Sequence, residues 1–237
     1  MKLATRFTKT NEKDFLLGYL NFTSKIRINM LKVLDTHLRN SKIFKEKQAY
    51  YVLALEQLFL LQESYQSFYI AFRDRLKKSF LDTLSDDNTD VQSLYNNLVN
   101  KSEKEIIQDL NYSLTGLTKE QNELVQSRLV AIAKMWQDKK FVDAMKTIFL
   151  PMFNSIKHKM MIYSKDKRIM FAFEDEKDHS IEEVLKKYGI KAEANISSLS
   201  SIIDIAERLN AAIKDLIILR VLELGVQPPI EIYEDWQ

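Results

Sequence analysis

The 237-residue sequence is 46% hydrophobic and 11% aromatic, with a formal net charge of +2, so it can bury a core and is not a disordered chain. Its four glycines and three prolines are too few for a turn-rich β sandwich or barrel, so we expect the all-α (mainly α) class. The absence of cysteine excludes disulfides, zinc thiolate sites and thiol nucleophiles.

The first predicted helix covers 11–39, where apolar residues recur at intervals of three and four. Histidine on such an apolar face is more often a satisfied core or boundary residue than a metal ligand, and we interpret His37 in that way. The residues predicted to share this face are Phe15, Tyr19, Phe22, Ile26, Met30, Val33, Leu34 and His37.

A long helical segment is predicted from the break at Asn40-Ser41 to about Leu84, without glycine or proline. If continuous it would extend roughly 60 Å, which is typical of the long helices of an antiparallel multi-helix bundle. Basic residues between its aromatic residues resemble a base-stacking platform, but the helical spacing favours core packing instead. The recurring positions are Tyr51, Leu55, Leu58, Gln62, Tyr65, Tyr69, Phe72 and Leu76, and the interleaved basic residues are Arg73, Arg75, Lys77 and Lys78.

The middle of the chain predicts three further helical regions. The first runs from Val91 to Leu110 with a bend near Lys101. A capping box, in which Thr118 and Gln121 satisfy each other's free backbone donors, predicts the start of a helix that reaches about Trp136. The next helix should run over 139–150 and stop or kink at the proline that follows.

After this point the hydrophobic period changes, and strand, turn and strand are predicted over 160–173 as one short β-hairpin. A short helix over 180–188 and a last long helix over 195–224, stopped by Gly225, complete the prediction. Residues 226–237 form a tail with two prolines and three acidic residues. No linker divides the sequence, so we expect a single helical domain over 1–237.

No secretory h-region and no apolar run near the ~20 residues of a membrane span are visible. We therefore expect a soluble, cytoplasmic protein that does not enter a membrane.

The sequence lacks the residue spacing that several common binding and catalytic sites require. Four isolated glycines cannot supply a phosphate-binding loop or a nucleophile elbow. A di-metal bundle needs paired Glu-x-x-His motifs, whereas only Glu176 and His179 match that pattern. We expect no metal and no cofactor.

Basic charge is concentrated in two regions. Residues 1–50 carry eleven Lys or Arg against four Asp or Glu, and residues 134–168 carry nine against three. Such regions can hold a phosphate backbone, or they can be solvated helix faces.

The second basic region contains F-N-S-I-K-H at 153–158. This stretch resembles the motif of the HEPN superfamily, helical proteins of prokaryotic toxin–antitoxin, CRISPR and abortive-infection systems, whose pattern is R-N-x-x-x-H. Asn154 and His158 match the pattern, while Phe153 stands in place of the arginine. The resemblance implies an RNA-directed protein, metal-independent ribonuclease chemistry that is weak or lost, and an active site built across a dimer.

The chemistry of such a site follows from the residue types. Residues four apart share a helix face, so Asn154 and His158 point the same way. The histidine would move protons while a ribose 2′-OH attacks the phosphate, and the asparagine would orient it. Lys157, Lys159 and Arg168 could hold phosphate, although a lysine does not reproduce the bidentate geometry of arginine. Whether the chain is an enzyme therefore stays open.

Two alternatives remain. Asn154 and His158 can instead be polar residues that end a kinked helix beside a hairpin. The chain would then be a non-catalytic helical protein-protein interaction or scaffold subunit. An exposed apolar stripe and a buried His158 would favour that alternative, and an open basic cleft would favour the RNA-directed one. In both cases we expect a homodimer or a hetero-complex with another protein.

Overall fold

Helices dominate the structure. A computed structural model describes residues 9–20, 24–84, 91–110, 112, 117–145, 161–165, 168–172 and 198–225; of residues 9–11, 24, 91–92, 161–165 and 168–172 it describes the backbone only. The helices are α1 (Lys9–Gly18), α2 (Ser24–Asn40), α3 (Phe44–Asp74), α4 (Phe80–Leu84), α5 (Val91–Val99), α6 (Glu103–Leu110), α7 (Lys119–Gln137), α8 (Lys139–Ala144) and α9 (Ser200–Glu223). The predicted all-α class is confirmed.

Two short backbone segments, β1 (Met161–Lys165) and β2 (Arg168–Ala172), pair antiparallel with Met161 opposite Ala172. The residues between them and all side chains of the segment lie outside the described residues. The hairpin near 160–173 therefore stays a prediction.

The chain divides into two compact units. Unit 1 comprises Met1–Asn29, Leu60–Gln137 and Ala206–Gln237, and unit 2 comprises Met30–Phe59 and Asp138–Ile205. Because α2, α3 and α9 contribute residues to both units, the division does not follow any break that the sequence marks. The single domain over 1–237 stays a prediction.

The first predicted helix is two helices, α1 and α2, and its predicted apolar face is not the buried one. Residues expected on the inner side are exposed: Phe15 41%, Ile26 39%, Met30 43% and Val33 54%. The buried hydrophobic residues of this region are instead Leu16, Leu20, Ile28, Leu31 and Leu38. His37 is exposed, so its interpretation as a core histidine is wrong.

Helix α3 confirms the predicted core pattern of the long segment, but it spans 31 residues and stops at Asp74. Leu76, predicted to continue the buried face, is 70% exposed because the chain turns there. Core packing of the aromatic residues is confirmed, since none of the following is more than 2% exposed: Tyr65, Phe68, Tyr69 and Phe72.

In unit 1, α7 packs against α5 and α6. The predicted bend near Lys101 is a break between two helices, and Ser102 starts α6 through a reciprocal cap: its N–H donates to Glu105 Oε2 at 2.7 Å, and Glu105 N–H donates to Ser102 Oγ at 3.3 Å.

The predicted capping box of α7 is confirmed. Thr118 N–H donates to Gln121 Oε1 at 3.0 Å, and Gln121 N–H donates to Thr118 Oγ1 at 3.2 Å.

The core of unit 1 contains a buried aromatic group between α3 and α7. Trp136 Nε1 donates to Tyr65 Oη at 2.8 Å, which satisfies both buried polar atoms. The ring of Tyr95 meets Trp136 edge-on at 5.8 Å. This bond fixes the rotation of both helices about their axes, because either ring would lose its polar partner if its helix turned.

Helix α9 is the most deeply buried element. Residues Leu216 to Leu219 are all completely buried, and the helix ends at Gly225, whose φ of 75° lies in the left-handed region. The predicted role of Gly225 as a helix stop is confirmed, since glycine adopts this backbone conformation without steric cost.

Three other predictions fall outside the described residues: the end of the helix over 139–150, the short helix over 180–188 and the tail over 226–237. Among the helices that are described, none has the length and apolar character to cross a bilayer.

Candidate interaction surface

The residues that the sequence predicts to act on RNA are not brought together in the described part of the chain. Asn154, Lys157, His158 and Lys159 lie outside the described residues. Arg168 opens β2, where its Cα is opposite that of Lys165, and its side chain is not described.

The best-defined exposed apolar surface lies in unit 2, where α2 and α3 form a helical hairpin. Residues 41–43 connect the two helices. Ser41 shapes the connection: its N–H donates to His37 O at 2.9 Å, and its hydroxyl donates to Glu46 Oε2 at 2.7 Å. Close to this connection, the rings of His37 and Tyr50 lie 5.6 Å apart. This ring contact limits how far one helix can shift along its axis relative to the other.

The start of α9 holds the hairpin from one end. Asp35 accepts the N–H of Leu199 at 2.7 Å through Oδ1 and a hydrogen bond from Arg39 Nε at 2.7 Å through Oδ2. Arg39 also donates to Ser198 Oγ at 3.1 Å. A carboxylate that accepts backbone and guanidinium donors is a strong anchor, so this end of the hairpin is fixed within unit 2.

Apolar side chains line the side of the hairpin that carries the ring pair. Met30 and Val33 are seven and four residues before His37 and so share its face, and they are 43% and 54% exposed. Leu53 follows Tyr50 by three residues and is 44% exposed. We call Met30, Val33, His37, Tyr50 and Leu53 the α2–α3 face.

An acidic residue borders this face on α3. Glu56 is exposed beyond Leu53, away from the buried Ala54. On α2, Lys32 is exposed but follows the buried Ile28 by four residues, so it lies next to the buried side of that helix. The face therefore has an apolar centre and an acidic outer edge on α3.

Unit 1 contains a buried ion cluster that the sequence did not reveal. Arg75, only 8% exposed, donates through Nε and Nη2 to the carboxylate of Glu223 at 2.5 to 2.7 Å. Its Nη1 donates at 2.7 Å to the carbonyl oxygens of Phe72 and Leu110. The guanidinium lies 4.0 Å from the centre of the Phe72 ring, so hydrogen bonds and a ring face satisfy this buried cation.

A second arginine extends the cluster to α1. Arg220 Nε donates to Glu12 Oε1 at 2.6 Å, and its Nη1 donates to Glu223 Oε2 at 2.9 Å. Burial lowers the pKa of Arg220, but the hydrogen bonds to Glu12 and Glu223 outweigh it and raise the pKa. Two arginines and two glutamates balance in charge, and both carboxylates are already bound. The cluster is suited to holding helices together and not to proton transfer.

A separate ion pair joins α7 to α9 in unit 1. Arg128 Nη1 donates to Asp215 Oδ1 at 2.5 Å, and Asp215 is 4% exposed. Burial raises the pKa of Asp215 to about 6, although Arg128 and Lys214 act in the opposite direction. A carboxyl group with a raised pKa is a catalytic candidate only where it meets a cleft. Asp215 is enclosed by its own helices, so we treat it as structural.

No group of three His, Asp or Glu side chains that could bind a metal ion occurs in the ranges that the structure describes. The described side chains therefore contain no candidate set of metal ligands.

Sequence reasoning missed the α2–α3 face because α2 carries two apolar faces. One contains Met30 and Val33, and the other contains Ile28, Leu31 and Leu38. Charge gave no usable signal, because Arg27, Lys32 and Asp35 each stand three or four residues from a member of the second face. Arg75 gave no such signal, since it stands among three other basic residues, Arg73, Lys77 and Lys78.

Comparison of this chain with protein-family models, with curated proteins and with solved structures finds no match.

Proposed function

We propose that this chain is a non-catalytic helical interaction protein that binds another protein chain through the α2–α3 face. The observation that carries the proposal is the exposure of Met30, Val33 and Leu53 on neighbouring helices of one unit. Adjacent exposed apolar side chains with a charged border are typical of binding surfaces. When a partner covers these apolar side chains, their removal from water favours the complex.

Site-specific photo-crosslinking tests this proposal. The photoreactive amino acid p-benzoylphenylalanine is placed at Val33, and cells that express the full chain are irradiated. We expect a discrete crosslinked protein product that disappears when Leu53→Asp is added. The matched control carries the same photoreactive residue at Leu76, which is 70% exposed but belongs to unit 1. No product at Val33, or equal products at both positions, would refute the proposal.

A second proposal is that the chain is a HEPN-like, RNA-directed protein of a prokaryotic defence or toxin–antitoxin system, with weak or lost metal-independent ribonuclease activity. Its support is the sequence F-N-S-I-K-H, in which Asn154 and His158 would share a helix face, within a basic region that precedes the predicted hairpin. Lys157, Lys159 and Arg168 would hold phosphate. With Phe153 in the arginine position, binding is a safer expectation than cleavage.

Binding of single-stranded RNA at two salt concentrations tests the second proposal. Replacing Lys157 and Lys159 by alanine should weaken binding and make its salt dependence shallower, because fewer counterions are released. His158→Ala should abolish any cleavage and spare most of the affinity. The proposal fails if the wild-type chain shows neither salt-dependent binding nor cleavage.

A further inference from the structure

We infer that the partner of the α2–α3 face is an amphipathic helix of another protein, whose acidic residues lie over the loop between α2 and α3. This inference rests on the proposed interaction function and adds the chemical class of the partner and its placement. Exposed apolar side chains alone would not define the charge of a partner. Three lysines at one end of the face do.

The apolar part of the face continues into the loop. Ile43 is 57% exposed, and its carbonyl oxygen accepts the N–H of Lys47 at 3.2 Å, so it stands at the start of α3. Because Ile43 precedes Tyr50 by seven residues, which is two helical turns, both lie on the same side of this helix. The stripe on α3 therefore runs from Ile43 to Leu53 and is about 15 Å long.

Three lysines surround the loop end of this stripe. Lys42 directly precedes Ile43, and Lys45 and Lys47 follow it within the first turn of α3. Lys42 and Lys45 are exposed, and Lys47 is half-buried. None of the three forms an ion pair in the part of the chain that the structure describes. Their charges are therefore available to a partner.

Neighbouring charges do not neutralise these lysines. Arg39 and Asp35 are bound to each other. Glu46 is the one acidic residue among the eight of 40–47, and its Oε2 accepts the hydroxyl of Ser41 at 2.7 Å. Three lysines against one glutamate leave an excess of two positive charges at the loop. The α2–α3 face is therefore basic at its loop end.

The partner must offer apolar side chains and negative charge on one surface. A phosphate backbone supplies the charge but does not cover the apolar stripe. An anionic lipid surface supplies both, but it would press headgroups against the exposed Glu56 at the outer edge of the face. Repulsion between these like charges disfavours the lipid surface.

A peptide helix with an apolar side and acidic residues at one end meets each of these requirements. Its apolar side covers Val33 and Leu53, and its acidic end lies over Lys42 and Lys45. This is the way in which amphipathic helices bind apolar surfaces of other proteins. About ten residues, or three turns, are enough to span the stripe.

Fluorescence anisotropy with designed peptides and the full chain tests the inference. Three labelled helical peptides share the same leucine side and differ only at one end, which carries glutamate, glutamine or lysine. We expect the glutamate peptide to bind about tenfold more tightly than the glutamine peptide at low salt, and the lysine peptide to bind most weakly. This preference should shrink as the salt concentration rises, because exposed charges are screened.

Variants of the chain locate the contact. Lys42→Glu/Lys45→Glu should weaken binding of the glutamate peptide by about tenfold or more and leave that of the glutamine peptide unchanged. Val33→Asp should abolish binding of all three peptides, because it places a charge in the shared apolar contact. The matched control Lys77→Glu/Lys78→Glu changes two exposed lysines of unit 1 and should leave all three affinities unchanged. Circular dichroism checks that each variant keeps its helices.

Several outcomes would overturn the inference. These are a glutamate peptide that does not bind, equal affinities for the three peptides, and a glutamate preference that survives Lys42→Glu/Lys45→Glu. Single-stranded RNA or phosphatidylserine vesicles that bind through these lysines while the glutamate peptide does not would assign them to a phosphate ligand instead. A protein crosslinked to Val33 together with equal peptide affinities would keep the proposed function and overturn only the acidic character of the partner.

Discussion

At the scale of single residues, Asp215 gives the structure a pH dependence. Burial raises its pKa to about 6, well above the ordinary value of an aspartate, so the folded chain binds this proton more tightly than the unfolded chain does. The resulting stabilisation is complete below the unfolded pKa and is lost as the pH rises through the folded pKa. Two pKa units correspond to about 3 kcal/mol.

Asp215→Asn removes this titration and is the test. From pH 4 to pH 7 the free energy of unfolding of the wild-type chain should fall by up to about 3 kcal/mol relative to that of the variant. Urea unfolding at several pH values measures the difference. Asp204→Asn, at an exposed position of the same helix, is the control and should follow the wild-type curve. A constant difference between Asp215→Asn and the wild type would contradict the prediction.

Arg75 and Arg73 are two residues apart and should respond very differently to removal. Arg75→Ala leaves Glu223 with one partner and removes the guanidinium donor from the carbonyl oxygens of Phe72 and Leu110. We expect a loss of about 3 kcal/mol in the free energy of unfolding. Arg73 pairs with Asp74 at a half-exposed position, so Arg73→Ala should cost less than about 1 kcal/mol. Equal losses in urea unfolding would show that the buried cluster does not stabilise the fold.

At the scale of elements, the cap of α7 is a local source of stability. Thr118→Ala removes the hydroxyl that accepts the Gln121 N–H, and the expected cost is about 1 kcal/mol. Gln126→Ala, at an exposed interior position of the same helix, should change the free energy of unfolding by less than about 0.5 kcal/mol. Thermal unfolding of both variants checks the difference, and a neutral Thr118→Ala would show that the cap is dispensable.

The helices show how far sequence reasoning reaches. The start of α7, the buried stripe of α3 and the stop at Gly225 were all predictable, because capping boxes, periodicity and a terminal glycine act locally. The inner face of α2 was not, because Met30 and Val33 form as good an apolar stripe as the buried one. Only packing against other elements decides between two such faces. The apolar period therefore identified the helix but could not show which of its two apolar stripes stays exposed.

At the scale of the whole molecule, each compact unit is assembled from separated parts of the sequence. Residues far apart in the chain should therefore respond together in hydrogen exchange. We expect Glu223→Gln, which weakens the cluster in unit 1, to speed exchange in α6 and α7 more than in the part of α2 that belongs to unit 2. Exchange measured by mass spectrometry gives the comparison. Equal acceleration in both places would indicate a single cooperative unit.

The ion cluster also dictates an order of events during synthesis. Glu12 and its partner Arg220 are separated by 208 residues, which a ribosome takes roughly 10 to 40 s to translate. Throughout that interval Glu12 has no counter-ion from α9, and Leu16 of α1 lacks the completed unit that later buries it. Chaperones and proteases that bind apolar nascent segments therefore meet α1 before α9 has been made, however stable the finished protein is.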